Sequence, residues 1–127
     1  MSSKERGDKR FILKVSGELF SKGSENIDFS RYDEVAKQII KIVEITGIQL
    51  AMVVGGGNIF RGRERADYVD SNEADSIGML ATVMNGIALR EALVRNGAKN
   101  TRLMTAFHVP ELGEPYIRLK GQWHLDQ

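Results

Sequence analysis

Residues 55–62 read Gly-Gly-Gly-Asn-Ile-Phe-Arg-Gly and follow directly on the apolar run 48–54. Successive glycine N–H groups can form an anion-receiving nest, and a helix starting after it would add the positive end of its dipole. Arg61 adds a guanidinium suited to bidentate phosphate binding. A second stretch of the same character is Lys14-Val15-Ser16-Gly17, where a lysine stands inside an apolar run that then bends at Ser16-Gly17. Each feature has a plain structural alternative. Three glycines also make a tight turn, a lone lysine snorkels to the surface, and Arg61 alone is a solvated charge. Asp75, early in a helical segment, is by itself an acid favoured by the helix dipole. It is the combination of Lys14, the glycines and Arg61 at strand ends that points to a phosphate-bearing ligand.

Two familiar phosphate signatures do not fit. Gly57 and Gly62 have the spacing of a Walker loop, but Arg63 and Glu64 follow where Lys and Ser or Thr are required. Phe60 occupies the place of the third glycine of the dinucleotide fingerprint, which disfavours a Rossmann-type oxidoreductase domain. His108 and His124 have no metal-ligand spacing, and no metal ligand is assigned.

These loops need elements to hold them. Residues 11–15 read as a buried strand ending in a glycine turn. Ser30 and Asp33 resemble a capping box, and Tyr32, Val35, Ala36, Ile39, Ile42 and Val43 then fall on one helical face that closes at Gly47. A strand follows at 48–54, a charged connection at 62–73, and a long helix from about 74 to 96 with Ile77, Leu80, Ala81, Met84 and Ala88 inward; Met79 is also read as core. Residues 101–106 are a third strand, and Pro115 suits the first turn of a last helix running toward His124. Strands alternating with helices predict an α/β fold with a parallel sheet, right-handed crossovers and helices on its faces. Parallel sheets rarely stop at three strands, so an unpaired edge is expected. In such sheets ligands sit beyond the carboxyl ends of the strands, where both candidate loops lie.

Composition narrows the class. With 18 basic and 17 acidic residues the net charge is +1, and no basic cluster suggests a nucleic-acid or anionic-membrane surface. The absence of cysteine removes disulfides and thiol chemistry and suits the cytoplasm. Residues 1–9 read as a flexible polar tail without a signal-like apolar stretch, and no run of transmembrane length is expected.

The segments "KRFILKVSGE" (9–18), "GGGNIFRG" (55–62), "ADSIGMLATVMNGIALREAL" (74–93) and "TRLMTAF" (101–107) together resemble the bacterial-type UMP kinases of the amino acid kinase family. The resemblance implies a three-layer αβα sandwich with a mainly parallel sheet, the carbamate-kinase-like fold, with residues 10–127 forming its N-terminal half. It implies phosphoryl transfer from ATP to UMP with Mg2+, giving UDP and ADP in pyrimidine nucleotide synthesis. It assigns Lys14, Val15, Ser16, Gly17, Gly57 and Arg61 to the ATP side, Lys14 and Arg61 to catalysis, and Gly56 and Asp75 to UMP. It further implies a homohexamer with contacts near 74–93. Family members run to roughly twice this length, with the adenosine pocket in the second half, so the 127 residues alone are expected not to turn over UMP. A non-catalytic nucleotide-binding module is the alternative.

Overall fold

The computed structural model describes residues 9–60 and 67–127; most of the polar tail, together with Arg61, Arg63, Glu64 and Arg65, lies outside the described residues. Strand β1 (Arg10–Val15) runs parallel to β2 (Gln49–Val54) in a register that pairs Arg10 with Gln49 and Val15 with Val54. The two carboxyl ends therefore finish side by side. A short 3-10 turn (Gly17–Phe20) follows β1, and helix α1 (Phe29–Thr46) connects to β2. Helix α2 (Ser71–Arg95) follows, then β3 (Met104–Thr105), β4 (Glu114–Pro115) and α3 (Arg118–Asp126).

Helix α1 is bounded by two local devices. Asp28, and not Ser30, is its N-cap: the carboxylate accepts the Ser30 N–H at 3.0 Å and the Ser30 hydroxyl at 2.6 Å. Asp33 is thereby released from a capping role and instead meets Lys37, Arg95 and Asn96. At the other end Gly47 adopts the left-handed conformation (φ 69°) and returns its N–H to Val43, a conformation glycine takes without a Cβ penalty.

The core joins Val15 and Phe20 to Tyr32, Ala36 and Ile39 of α1 and to Leu89, Ala92 and Leu93 of α2. Leu50, Met52 and Val54, alternate residues of β2, pack against it. Phe20 and Tyr32 stack with ring centroids 4.2 Å apart. Of the face predicted for α1, Ile42 is the exception, being exposed.

Helix α2 departs from expectation in bounds and in rotation. It begins at Ser71, so the charged connection is shorter than predicted. Ala81 is inward as expected, but Ile77, Met79, Leu80 and Met84 are exposed, and the buried positions are Ala81, Val83, Asn85, Gly86, Leu89, Ala92 and Leu93. Apolar residues surround this helix almost completely, so periodicity does not select a face. By length and composition α2 could also cross a membrane, contrary to the sequence expectation; in this fold it is a core helix, supplying Leu89, Ala92 and Leu93.

The third strand is reduced to Met104–Thr105 and pairs in parallel with β4, not with β1 or β2. Pro115 lies in β4, not in the last helix. It is tolerated because the donors of this ladder are its neighbours: Glu114 N–H bonds Leu103 O at 3.1 Å and Tyr116 N–H bonds Thr105 O at 2.8 Å. Helix α3 then returns to the start of the first ladder. Its Asp126 pairs with Arg10, and its Leu125 carbonyl accepts from Gln49, while His124 Nε2 lies 2.9 Å from Glu114 Oε2.

Candidate functional site

The parallel register brings the two candidate loops together. Gly55 N–H bonds the Val15 carbonyl at 2.9 Å, extending the ladder by one step beyond Val54. Ser16 caps the 3-10 turn, its Oγ accepting the Glu18 N–H at 3.4 Å. Gly17 is buried, and a Cβ there would stand 2.6 Å from Asn58 Oδ1 and 2.8 Å from the Gly57 nitrogen. The two loops are thus in backbone contact at a point where no larger residue fits.

On its other side the glycine loop meets α2. A Cβ on Gly56 would lie 2.8 Å from Ala81 Cβ and 3.0 Å from the Thr82 nitrogen. The glycines with positive φ among the described residues are Gly23, Gly47 and Gly97. Neither Gly55 nor Gly56 therefore makes a left-handed turn, and it is Gly56 that serves close approach. The Gly56 carbonyl accepts from Ile59 and Phe60 at 3.0 and 3.1 Å, curling the chain into a single turn after the glycines.

Helix α2 meets the loop with its flank and not with its N-terminus. Ala81 lies ten residues beyond the helix start, about 15 Å along the axis, so the dipole predicted to face the glycines is directed elsewhere. Asp75 lies six residues before Ala81, about 9 Å up the helix, and is exposed. Lys14 is exposed on β1, paired in register with Val53. Val15 is buried core at 2% exposure, with its carbonyl bonded to the loop. The structure thus joins Val15, Ser16, Gly17, Gly56 and Gly57 at one point, with Lys14 one residue before it and Asp75 farther along α2. Arg61 lies outside the described residues.

Beneath this junction is a polar network that the sequence reading missed. Asn85, fully buried, donates to the Gly55 carbonyl at 2.8 Å and to Asn58 Oδ1 at 2.7 Å, and accepts the Tyr32 hydroxyl at 2.5 Å. Asn58 donates in turn to the Asn26 carbonyl at 3.0 Å. Burial pushes the Tyr32 phenol above its ordinary pKa, so it is a neutral donor at physiological pH. The one sequence signal was an asparagine four residues from Ala81 and four from Leu89, inside a run otherwise apolar.

Residues 9–112 match the family model described as the amino acid kinase family. The chain belongs to that family. Among curated relatives, the uridylate kinase of Deinococcus radiodurans is 43% identical over 121 residues, covering 94% of this chain and 49% of the relative. The uridylate kinase of Corynebacterium glutamicum is 40% identical over 122 residues, covering 95% and 49%. The crystal structure of UMP kinase from Bacillus anthracis superposes with a TM-score of 0.85 at 39% identity, over 93% of this chain and 49% of that one. That of UMP kinase from Ureaplasma parvum gives 0.78 at 32% identity, over 94% and 51%. These neighbours carry the sandwich fold predicted from sequence, and the chain spans about half the length of the relatives it matches.

Proposed function

We propose that this chain is the nucleotide-junction half of a UMP kinase, transferring the ATP γ-phosphoryl group to UMP in pyrimidine nucleotide synthesis. The observation that carries the reading is the backbone contact between the Gly17 turn and the Gly57–Asn58 loop at two adjacent parallel strand ends, in a chain similar to uridylate kinases over nearly its whole length. Phosphoryl transfer asks a protein for positioning and electrostatic stabilisation more than for covalent chemistry. Bare backbone at a fixed point, with a lysine one residue away, meets that requirement.

In this reading Val15, Ser16 and Gly17 border the ATP phosphates together with Gly57 and Arg61, Gly56 borders the UMP phosphate, and Asp75 accepts from the UMP ribose hydroxyls. Lys14 and Arg61 stabilise the charge of the transferring group. Among the described residues no cluster of three or more His, Asp or Glu could hold a metal. The magnesium expected with ATP is held largely by the substrate phosphates and water, and none of the roles above depends on it. A net charge of +1 supports small anionic partners over nucleic acid or a membrane surface, and the cytoplasm is the proposed location. The exposed stripe Ile77, Leu80 and Met84 on α2 supports self-association through that helix, up to the hexamer implied by the family resemblance.

The test is calorimetric titration of the 127-residue chain with UMP and with ATP, together with an assay for UDP. The expected result is saturable UMP binding, weak or no ATP binding and no turnover. UDP formation by the purified chain alone would overturn the division of labour proposed here, and absence of UMP binding would remove the nucleotide reading. Sedimentation velocity reports the oligomeric state in the same samples.

A further inference from the structure

Asn85 is hydrogen-bonded to neither of the residues assigned to UMP, yet its side chain bonds α2 to the glycine loop at Gly55 and Asn58. Its orientation is fixed chemically. The Gly55 carbonyl is only an acceptor, so the amide nitrogen must face it, and the carbonyl of Asn85 must then face the Tyr32 hydroxyl. The buried side-chain nitrogen and oxygen atoms of Tyr32, Asn85 and Asn58 each have a partner, and among the described residues no buried side-chain polar atom lacks one. A fully satisfied buried network of this kind specifies one arrangement of the groups it joins. Here it joins the stacked Phe20–Tyr32 pair behind the first loop, the Gly55 carbonyl and Asn58 in the second loop, and α2. The core would be filled as well by leucine at position 85, which could make none of these bonds.

We infer that Asn85 is a positioning residue: with Tyr32 behind it, it sets the conformation of residues 55–58 that receives phosphate. This rests on the nucleotide reading above. The role predicts a loss of ligand affinity out of proportion to any loss of stability.

The test compares Asn85→Asp, Tyr32→Phe and Leu89→Ala with the parent chain, at a temperature where all are folded. Leu89→Ala removes core from the same helix without touching the loop. Two quantities are measured: amide hydrogen exchange at residues 55–58 without ligand, and affinity for UMP between pH 8 and pH 5.5. In Asn85→Asp, exchange at the loop should accelerate and UMP affinity should fall about tenfold or more at pH 8. The deficit relative to the parent should narrow toward pH 5.5, because a buried carboxyl protonates readily and then donates one of the missing bonds. Tyr32→Phe should show the same pattern, about threefold in size and without the pH dependence. Leu89→Ala should lose stability while keeping parental loop exchange and affinity. The inference is overturned if Leu89→Ala weakens UMP as much as Asn85→Asp at equal stability, or if loop exchange is unchanged in both Asn85→Asp and Tyr32→Phe. If Asn85→Asp does not fold, Tyr32→Phe decides alone. Should the parent fail to bind UMP, the nucleotide reading falls, and loop exchange still decides whether Asn85 positions the loop.

Discussion

On one face of the β1–β2 ladder Val15, Leu50, Met52 and Val54 lie against the core, while Phe11 and Leu13 of the same face are exposed, so β1 is buried only at its carboxyl end and not along its length as expected; on the other face Ile12 at 78% exposure, Lys14 and Val53 at 59% are open. Both faces come from the same two apolar runs and the same alternation. The buried face ends in the glycine junction, where backbone is pressed on backbone and, among the described residues, no buried side-chain polar atom lacks a partner. The open face carries Lys14, the lysine proposed to act on a phosphate. The difference separates two jobs that a sequence reading merges: fixing the shape of the loop, which belongs to the buried side, and delivering charge, which belongs to the exposed side.

That separation can be broken at several points. The largest expected effect is on chemistry. In a protein of the full family length, Lys14→Ala should cost about 3 to 4 kcal/mol of transition-state stabilisation, by analogy with loss of one preorganised donor, with an unchanged melting temperature. A fall in melting temperature comparable to that of a core variant would mean that the open face is not open in the full-length protein. Next, Gly56→Ala drives a methyl group to within 2.8 Å of Ala81 Cβ and 3.0 Å of the Thr82 nitrogen. Overpacking against backbone should cost about 1 to 3 kcal/mol in chemical denaturation and weaken UMP binding as well, since the loop must shift. Tyr32→Phe keeps the stack on Phe20 and removes one buried hydrogen bond, for a loss of about 1 kcal/mol.

A smaller effect is conditional on pH. Asp33 is held well below the usual carboxylate range, first by the hydrogen bond from Asn96 and then by those from Lys37 and Arg95. A depressed folded pKa stabilises only while the carboxylate is ionised, so the contribution is complete above the unfolded value of about 3.9. It is lost as pH falls below that value toward the folded one. Thermal melts should show the parent and Asp33→Asn separated at pH 7 and converging below about pH 4; a constant gap would show that these contacts act through packing alone. Least of all, Ile12→Thr on the open face should change stability by less than about 0.5 kcal/mol.

What was legible in the sequence follows the same division. The apolar runs of β1 and β2, the glycine stop at residue 47 and the meeting of the two glycine-bearing loops could be read because each is a local pattern. The facing of α2 could not, because Ile77, Met79, Leu80, Val83 and Met84 make it apolar on nearly every side, and only the position of α1 and the Gly56 contact choose among them. The β3–β4 pair was hidden for another reason: two-residue strands are defined by their partner, and Pro115 suggested a helix start. Asn85 was hidden most completely, since its partners come from residues 27, 30 and 53 positions away in the chain. The glycines were seen, but for a reason that needed revising. They were read as bare backbone awaiting an anion, and Gly56 is bare because helix α2 already presses on it.

The contact between Gly56 and Ala81 has a mechanical meaning. Helix α2 is a rigid rod of 25 residues, about 37 Å long, and the glycine loop bears on it off-centre, with no side chain between to absorb play. A tilt of about 5° pivoting there would move Asp75 by roughly 0.8 Å and the far end at Arg95 by about 1.8 Å. The loop is the fulcrum of a lever whose short arm holds the proposed ribose contact, and whose long arm is anchored through Arg95 and Asn96 to Asp33 of α1.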